Sequence, residues 1–157
     1  MRSCLTDLSI WHWKDKIMKK AIIKITDRHV QDGEEYEAEL TTSGEFGVTE
    51  NGCRVVYTET DEELDNCVTT LDVEGSAKIS MTRAGKYNTE MIIEKDRRHS
   101  CFYQTPYGEL IMGIYAKNIS NEMTENGGVL NFSYTIDFNN TPASDNELTV
   151  AVTPKEE

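Results

Sequence analysis

Arg83 ends an alternating stretch, "SAKISMTR", in which Ala77, Ile79 and Met81 share its face while Lys78, Ser80 and Thr82 take the other. A guanidinium enclosed on an apolar face is costly unless something pairs with it. Glu59 raises the matching problem, because it follows Val55 and Tyr57 along one face of a second alternating stretch. The two side chains are therefore expected to turn toward one interior and form an ion pair. Such a pair has a structural use, fixing register or closing one end of a sheet. It also has a chemical one, since a planar guanidinium holds a carboxylate or phosphate through parallel hydrogen bonds. Tyr57 stands beside them, and Tyr103 and Tyr107 flank a Pro-Tyr-Gly kink in "YQTPYGELIMGIYAKNI". Arg83, Glu59, Tyr57, Tyr103 and Tyr107 make up the candidate ligand-binding set.

Catalytic patterns are thin. His12, His29 and His99 belong to no HExxH or comparable metal motif, and no GxSxG elbow or Walker-type glycine loop occurs. Cys101 lies two residues from His99, on the same face of a strand, but that spacing alone does not make a nucleophile and its base. The acidic run "TDEELD" (60–65) lacks the glycine and ligand spacing of a calcium loop and reads as a solvated hairpin connection. No catalytic residues, metal ligands or cofactor are expected from these patterns.

The elements that must position the candidate residues are strands. In "LNFSYTIDF", Leu130, Phe132, Tyr134, Ile136 and Phe138 alternate with polar residues, a spacing that gives one apolar face only in an extended chain. "ELTVAVT" does the same with Leu148, Val150 and Val152, and "CVTTLDV" more weakly with Leu71 and Val73. "EEYEAEL" places Tyr36, Ala38 and Leu40 inward, and Leu110, Met112, Ile114 and Ala116 line a long strand behind the kink. Glycines beside Asn, Asp, Glu or Ala punctuate these runs, with Asn51-Gly52 as the clearest hairpin signal and "NNTPASDN" (139–146) as a surface loop. Pro106 and Gly108 read as the turn that launches the strand after them. About eight to ten strands with short connections imply an all-β, mostly antiparallel meander. Closing it into a single β-barrel hides the apolar face that a flat sheet would leave wet.

The chain has 157 residues, enough for one domain, with 38% hydrophobic and 28% charged residues and a net charge of −12. That charge repels phosphate backbones and anionic lipid, so no nucleic-acid or membrane partner is expected. The basic runs "KDKIMKK" and "KDRR" are short and broken by aspartate. Cys4, Cys53, Cys67 and Cys101 form no CxxC motif, and reduced thiols in a cytoplasmic protein are expected. Residues 1–17 hold both tryptophans, Trp11 and Trp13, and break from the alternation that follows. The expectation is a non-native or disordered extension over 1–17, translation beginning at Met18, and one barrel domain over 18–157.

From "MKKAIIKI" onward the chain resembles the YwiB-like family of bacterial proteins, whose function is uncharacterised. "YTE" at Tyr57 to Glu59, "RAG" at Arg83 to Gly85 and "TPYG" at Thr105 to Gly108 carry the resemblance through their order and spacing. It implies a calycin-like barrel, related in shape to lipocalins and fatty-acid-binding proteins. The lipocalin Gly-x-Trp signature is missing, so a lipocalin cargo function does not transfer, and the family offers no catalytic residues to place.

Three functions follow as expectations. The first is non-enzymatic binding of a small, anionic and amphipathic ligand through Arg83 and nearby tyrosines. The second is a solidly packed barrel whose edge or rim meets a protein partner. The third is an enzyme with its site at the barrel mouth, near Tyr103 and Tyr107. Oligomeric state is not legible at this level.

Overall fold

Alternation carries through into ten strands. The computed structural model describes residues 18–59, 67–85 and 88–155, with 103–105 described by backbone alone. The expected extension over 1–17 and the acidic run at 60–65 lie outside the described residues. The strands are β1 (Lys19–Gln31), β2 (Glu34–Thr49), β3 (Gly52–Thr58), β4 (Val68–Glu74), β5 (Lys78–Ala84), β6 (Thr89–Glu94), β7 (Arg98–Thr105), β8 (Gly108–Asn121), β9 (Gly128–Phe138) and β10 (Thr141–Pro154). All pairings are antiparallel, in the order β6-β5-β4-β3-β2-β1-β10-β9-β8-β7. The first and last strands therefore meet in the middle of the sheet, and the two outer strands, β6 and β7, are consecutive in the chain. The ribbon curls until they face each other, giving a nearly closed barrel. At this seam the ladder shrinks to one bridge, Glu94 to Arg97, and His99 Nε2 lies 2.7 Å from Glu94 Oε1 across it.

The inward positions form one core. Phe46, Phe132, Ile23, Leu71, Ile79, Ile93, Ile114 and Leu130 are all fully buried. Each contributes roughly 1.5–3 kcal/mol by leaving water, which is what curls the ribbon. Because consecutive strands alternate in direction, the β1–β2, β3–β4, β5–β6, β7–β8 and β9–β10 connections share one end, here called the mouth. The opposite end is tied shut. The Gly75 amide donates to the Asn51 carbonyl at 2.7 Å, Asn121 Nδ2 donates to the Gly75 carbonyl at 3.0 Å, and the Lys95 amide donates to the Ala77 carbonyl at 2.9 Å.

Several local expectations need correction. Asn139 and Asn140 form a two-residue turn with φ of 51° and 69°, and Thr141 already opens β10, so 139–146 is not a loop. Asparagine tolerates the left-handed region, and the Asn140 amide donates to Asp137 Oδ1 at 3.1 Å, so the turn needs no glycine. Tyr36 and Ala38 do share the inward face, opposite His29 and Asp27, but they are exposed rather than buried. The pairing of β2 with β3 begins only at Gly44, so the outer part of the β1–β2 hairpin projects as an arm with no sheet facing it. Ala77 lies in a turn, outside the inward row of β5. The hairpin at Asn51-Gly52 exists, but Gly52 is its first strand residue, paired with Thr49, rather than a turn residue. The kink at Pro106 and Tyr107 is the two-residue turn expected, closing Thr105 against Gly108, whose φ is 123°.

Candidate functional site

Tyr57, Thr69 and Arg83 lie directly opposite one another across β3, β4 and β5, on the inward face and near the mouth. Thr69 is there because β4 alternates, placing it between Cys67 and Leu71 on the buried side. Glu59 leaves the end of β3 with its amide still donating to the Cys67 carbonyl at 2.8 Å, which turns its side chain back over this row. Arg83 Nε donates to Glu59 Oε2 at 2.9 Å, and Thr69 Oγ1 donates to the same oxygen at 2.7 Å. The Glu59 side chain is 12% exposed and that of Arg83 32%. The expected ion pair is present, and it is asymmetric. Among the described residues no hydrogen bond engages the Nη1 and Nη2 edge of Arg83.

Asp27 joins this group from β1, on the same face as Ala21, Ile23 and Ile25. It sits 3.9 Å from His29 Nδ1, and the His29 ring stacks on Tyr36 at 5.0 Å. Burial pushes the Asp27 carboxyl above the ordinary carboxylate range, and Glu59 adds to the rise, while His29 and Arg83 oppose it. From β9, Tyr134 stacks on Phe132 at 6.0 Å, and its phenol is pushed up to about 12 by burial first and by Asp27 next. Burial, then Glu59, raises the Tyr57 phenol as well. Burial works to lower the Arg83 guanidinium, but Glu59, with Tyr57 and Tyr134, more than offsets it, so the group is held more firmly charged than usual. Among the described residues, this cluster therefore sets the Arg83 guanidinium beside the carboxyl groups of Glu59 and Asp27 and the phenols of Tyr57 and Tyr134.

Asp27 leads to a stability prediction. A carboxyl whose native pKa is raised contributes stability that is fully present below its unfolded value and lost as pH rises through the native value. Asp27→Asn is therefore expected to melt slightly above the parent at neutral pH, with the difference vanishing in acid. The side chain is 46% exposed, so solvent keeps the gain small. Thermal melts of both proteins across the acid range check the sign.

Of the five candidate residues, the structure brings Arg83, Glu59 and Tyr57 together. Tyr107 shares the mouth end but rides the β7–β8 turn, 99% exposed. The side chain of Tyr103 lies outside the described residues. Asp27 and Thr69 are the members missed, although alternation reaches both: Asp27 is the next inward position after Ile25, and Thr69 precedes Leu71 and Val73. The His99 imidazole is engaged with Glu94, and burial, then Glu90, raises the Cys101 thiol. Cys53 and Cys67 are buried, and burial lifts the Cys53 thiol to about 12. Among the described residues no group of three or more His, Cys, Asp or Glu is arranged to hold a metal. Among the described residues no helix is long and apolar enough to cross a membrane.

An open cleft of about 560 Å³ lies elsewhere at this end, between the β1–β2 and β9–β10 turns, lined by Val30, Asp32, Ile136 and Asp145 among others. Its depth is shallow in chemical terms: aspartates line it, and no basic side chain does. The donors and acceptors converge at Arg83 instead.

A family model described as a domain of unknown function (DUF1934) matches residues 23–150. The structure is similar to the crystal structure of ywiB protein from Bacillus subtilis, with 17% identity, a TM-score of 0.70, and coverage of 90% of this chain and 97% of that one. At that identity the likeness speaks to fold alone. No curated protein matches the chain. The resemblance carried by "YTE", "RAG" and "TPYG" agrees with both matches.

Proposed function

The chain belongs to the family of the domain of unknown function DUF1934, and we propose that its barrel binds a small anionic ligand at the mouth, with Arg83 as the anchor and no chemical conversion. The observation that carries this is the one-sided pairing of Arg83. Glu59 takes Nε, orients the guanidinium and keeps it charged, while no other described residue hydrogen-bonds the Nη edge, which suits a ligand oxygen pair. The centre of the barrel is filled by Phe46, Phe132, Leu71 and their neighbours, so the ligand sits at the end, and the apolar part of an amphipathic one lies along the rim. A calycin-like use of the barrel, with its open end as the binding end, fits this reading. Three unbridged cysteines, Cys53, Cys67 and Cys101, support a reducing, cytoplasmic setting.

Decanoate, a carboxylate with an apolar tail, is the probe. Titration calorimetry is expected to show binding to the parent protein and at least about a tenfold loss in Arg83→Met, since hydrogen bonds to a charged group contribute roughly 1.5–3 kcal/mol. Equal affinity in the two proteins would remove Arg83 as the anchor.

A second reading, a rim that meets a protein partner, is favoured by the β7–β8 hairpin. Phe102 and Ile111 face each other across it, 70% and 46% exposed. Native mass spectrometry of gently purified protein separates the two: a bound polypeptide supports the rim, a small adduct the mouth.

A further inference from the structure

We propose that β7 is an interface strand, pairing antiparallel with β7 of a second copy of this chain across a two-fold axis beside Phe102. The inference rests on the second reading above, a rim that meets a protein, and it names that protein. Its first support is the backbone. β7 lies at one end of the strand order and pairs with β8 alone. Its link to β6, the other end strand, is the single bridge between Glu94 and Arg97 at the foot of the seam. Among the described residues no strand pairs with β7 on the side away from β8. Such edges are ordinarily blunted by charged side chains, proline or a bulge. From His99 to Thr105 the sequence supplies no Lys, Asp, Glu or Pro, and the β7–β8 register runs without a shift. β6 is shorter and carries Glu90 and Glu94.

Side chains add to the case. Phe102, near the middle of β7, and Ile111 opposite it are exposed. Both lie on the face turned from the core, since the next residue of β8, Met112, is buried. A second copy continues this apolar row with its own Phe102 and Ile111. Charge favours a copy as the occupant. Each chain carries −12, so two chains approach with least repulsion where acids are scarce. Between Arg97 and Asn121, Glu109 is the one acidic residue. Arg97 and Arg98 mark the foot of the hairpin, and Glu109 its tip. An antiparallel partner runs foot to tip, so the basic end of each copy meets the acidic end of the other, twice by symmetry. A parallel pairing would instead set the arginines of the two copies side by side. Arg98 is held by Asp137 at 2.6 Å, and Lys117, farther along β8, faces Asp145 at 3.9 Å. The exposed Arg97 is therefore the group that reaches across.

The experiment is sedimentation velocity of the full chain at rising protein concentration, in near-physiological salt, where screening leaves short-range pairs in place. The parent is expected to sediment as a monomer–dimer equilibrium. Phe102→Glu is expected to weaken dimerisation at least about tenfold, with its thermal unfolding unchanged because the ring is already in water. Arg97→Glu and Glu109→Arg are each expected to weaken it several-fold, and the double reversal to restore it, which a role confined to one copy's own fold would not produce. A parent that stays monomeric, a dimer indifferent to Phe102→Glu, or a double reversal no better than the single ones would overturn the proposal. Native mass spectrometry of parent and Phe102→Glu tells the two levels apart. A monomeric parent holding a different polypeptide, lost in Phe102→Glu, sinks the second copy and leaves the rim standing. A bound polypeptide or dimer untouched by Phe102→Glu sinks the rim as well.

Discussion

Gly52→Ala is expected to lower the thermal unfolding midpoint by about 10 °C. Gly52 is the first residue of β3, paired with Thr49 on one side and Glu74 on the other. A β-carbon placed there would overlap the Val73 carbonyl oxygen, lie 2.8 Å from its carbonyl carbon and 3.2 Å from Glu74 Cα. All three are backbone atoms held in the β3–β4 ladder, so no side-chain rotation relieves the clash. Relief requires parting the two strands at the closed end of the barrel. Strain of this kind belongs with the large effects, roughly 3–5 kcal/mol, and each kcal/mol moves the midpoint of a domain this size by about 2–4 °C. Gly108→Ala is the control. No described atom lies within 4 Å of its added carbon, so the positive φ is the penalty that remains, and the loss should be several-fold smaller. Equal midpoints for Gly52→Ala and the parent would mean that β3 and β4 do not approach as closely as described.

Glu59→Ala is expected to destabilise the fold by about 2–4 kcal/mol, while Arg83→Met should be close to neutral. The asymmetry comes from what each change leaves behind. Removing the carboxylate strands a largely enclosed guanidinium and deprives the hydroxyl of Thr69, a residue with no solvent exposure, of its acceptor. Removing the guanidinium and filling its volume with methionine leaves a carboxylate that still accepts from Thr69 and is able to protonate. Combined in one chain, the two substitutions should cost less than Glu59→Ala alone, because no orphaned charge remains. Urea denaturation of the three variants measures this directly. A larger loss in Arg83→Met than in Glu59→Ala would mean that the guanidinium supports the barrel rather than waiting at its mouth.

Much of the architecture was legible because period-two alternation survives wherever a strand has one wet face. Leu130 to Phe138, Leu148 to Val152 and the inward run of β8 were readable in this way. So was the meeting of Glu59 with Arg83, since each charged residue extends an apolar face of its own strand and two such charges need each other. Reading failed where alternation continues but no opposing sheet exists. Tyr36 and Ala38 keep the right spacing and remain in water, because coverage of the β1–β2 arm depends on where β3 begins. It failed again at Asn139 and Asn140, where a polar tract hides a tight turn and a bulged strand, the register shifting between Pro142 and Ser144. Gly52 looked like a turn glycine, but the demand on it is steric and comes from β4, a strand away in space. Tyr107 sits at the right end of the barrel, yet a two-residue turn directs it outward, a matter of local backbone geometry that spacing does not encode.

Pairing of β1 with β10 along ten residue pairs has a consequence for how the chain reaches this shape. Almost every other contact between strands is made by sequence neighbours and can zip up locally within microseconds. The β1–β10 ladder instead joins opposite extremes of the described chain, so it carries nearly the whole loop-closure entropy of the assembly. Its formation therefore gates the folding rate, and the two three-dimensional halves, β1 to β6 and β7 to β10, can mature as separate meanders before they are stitched together.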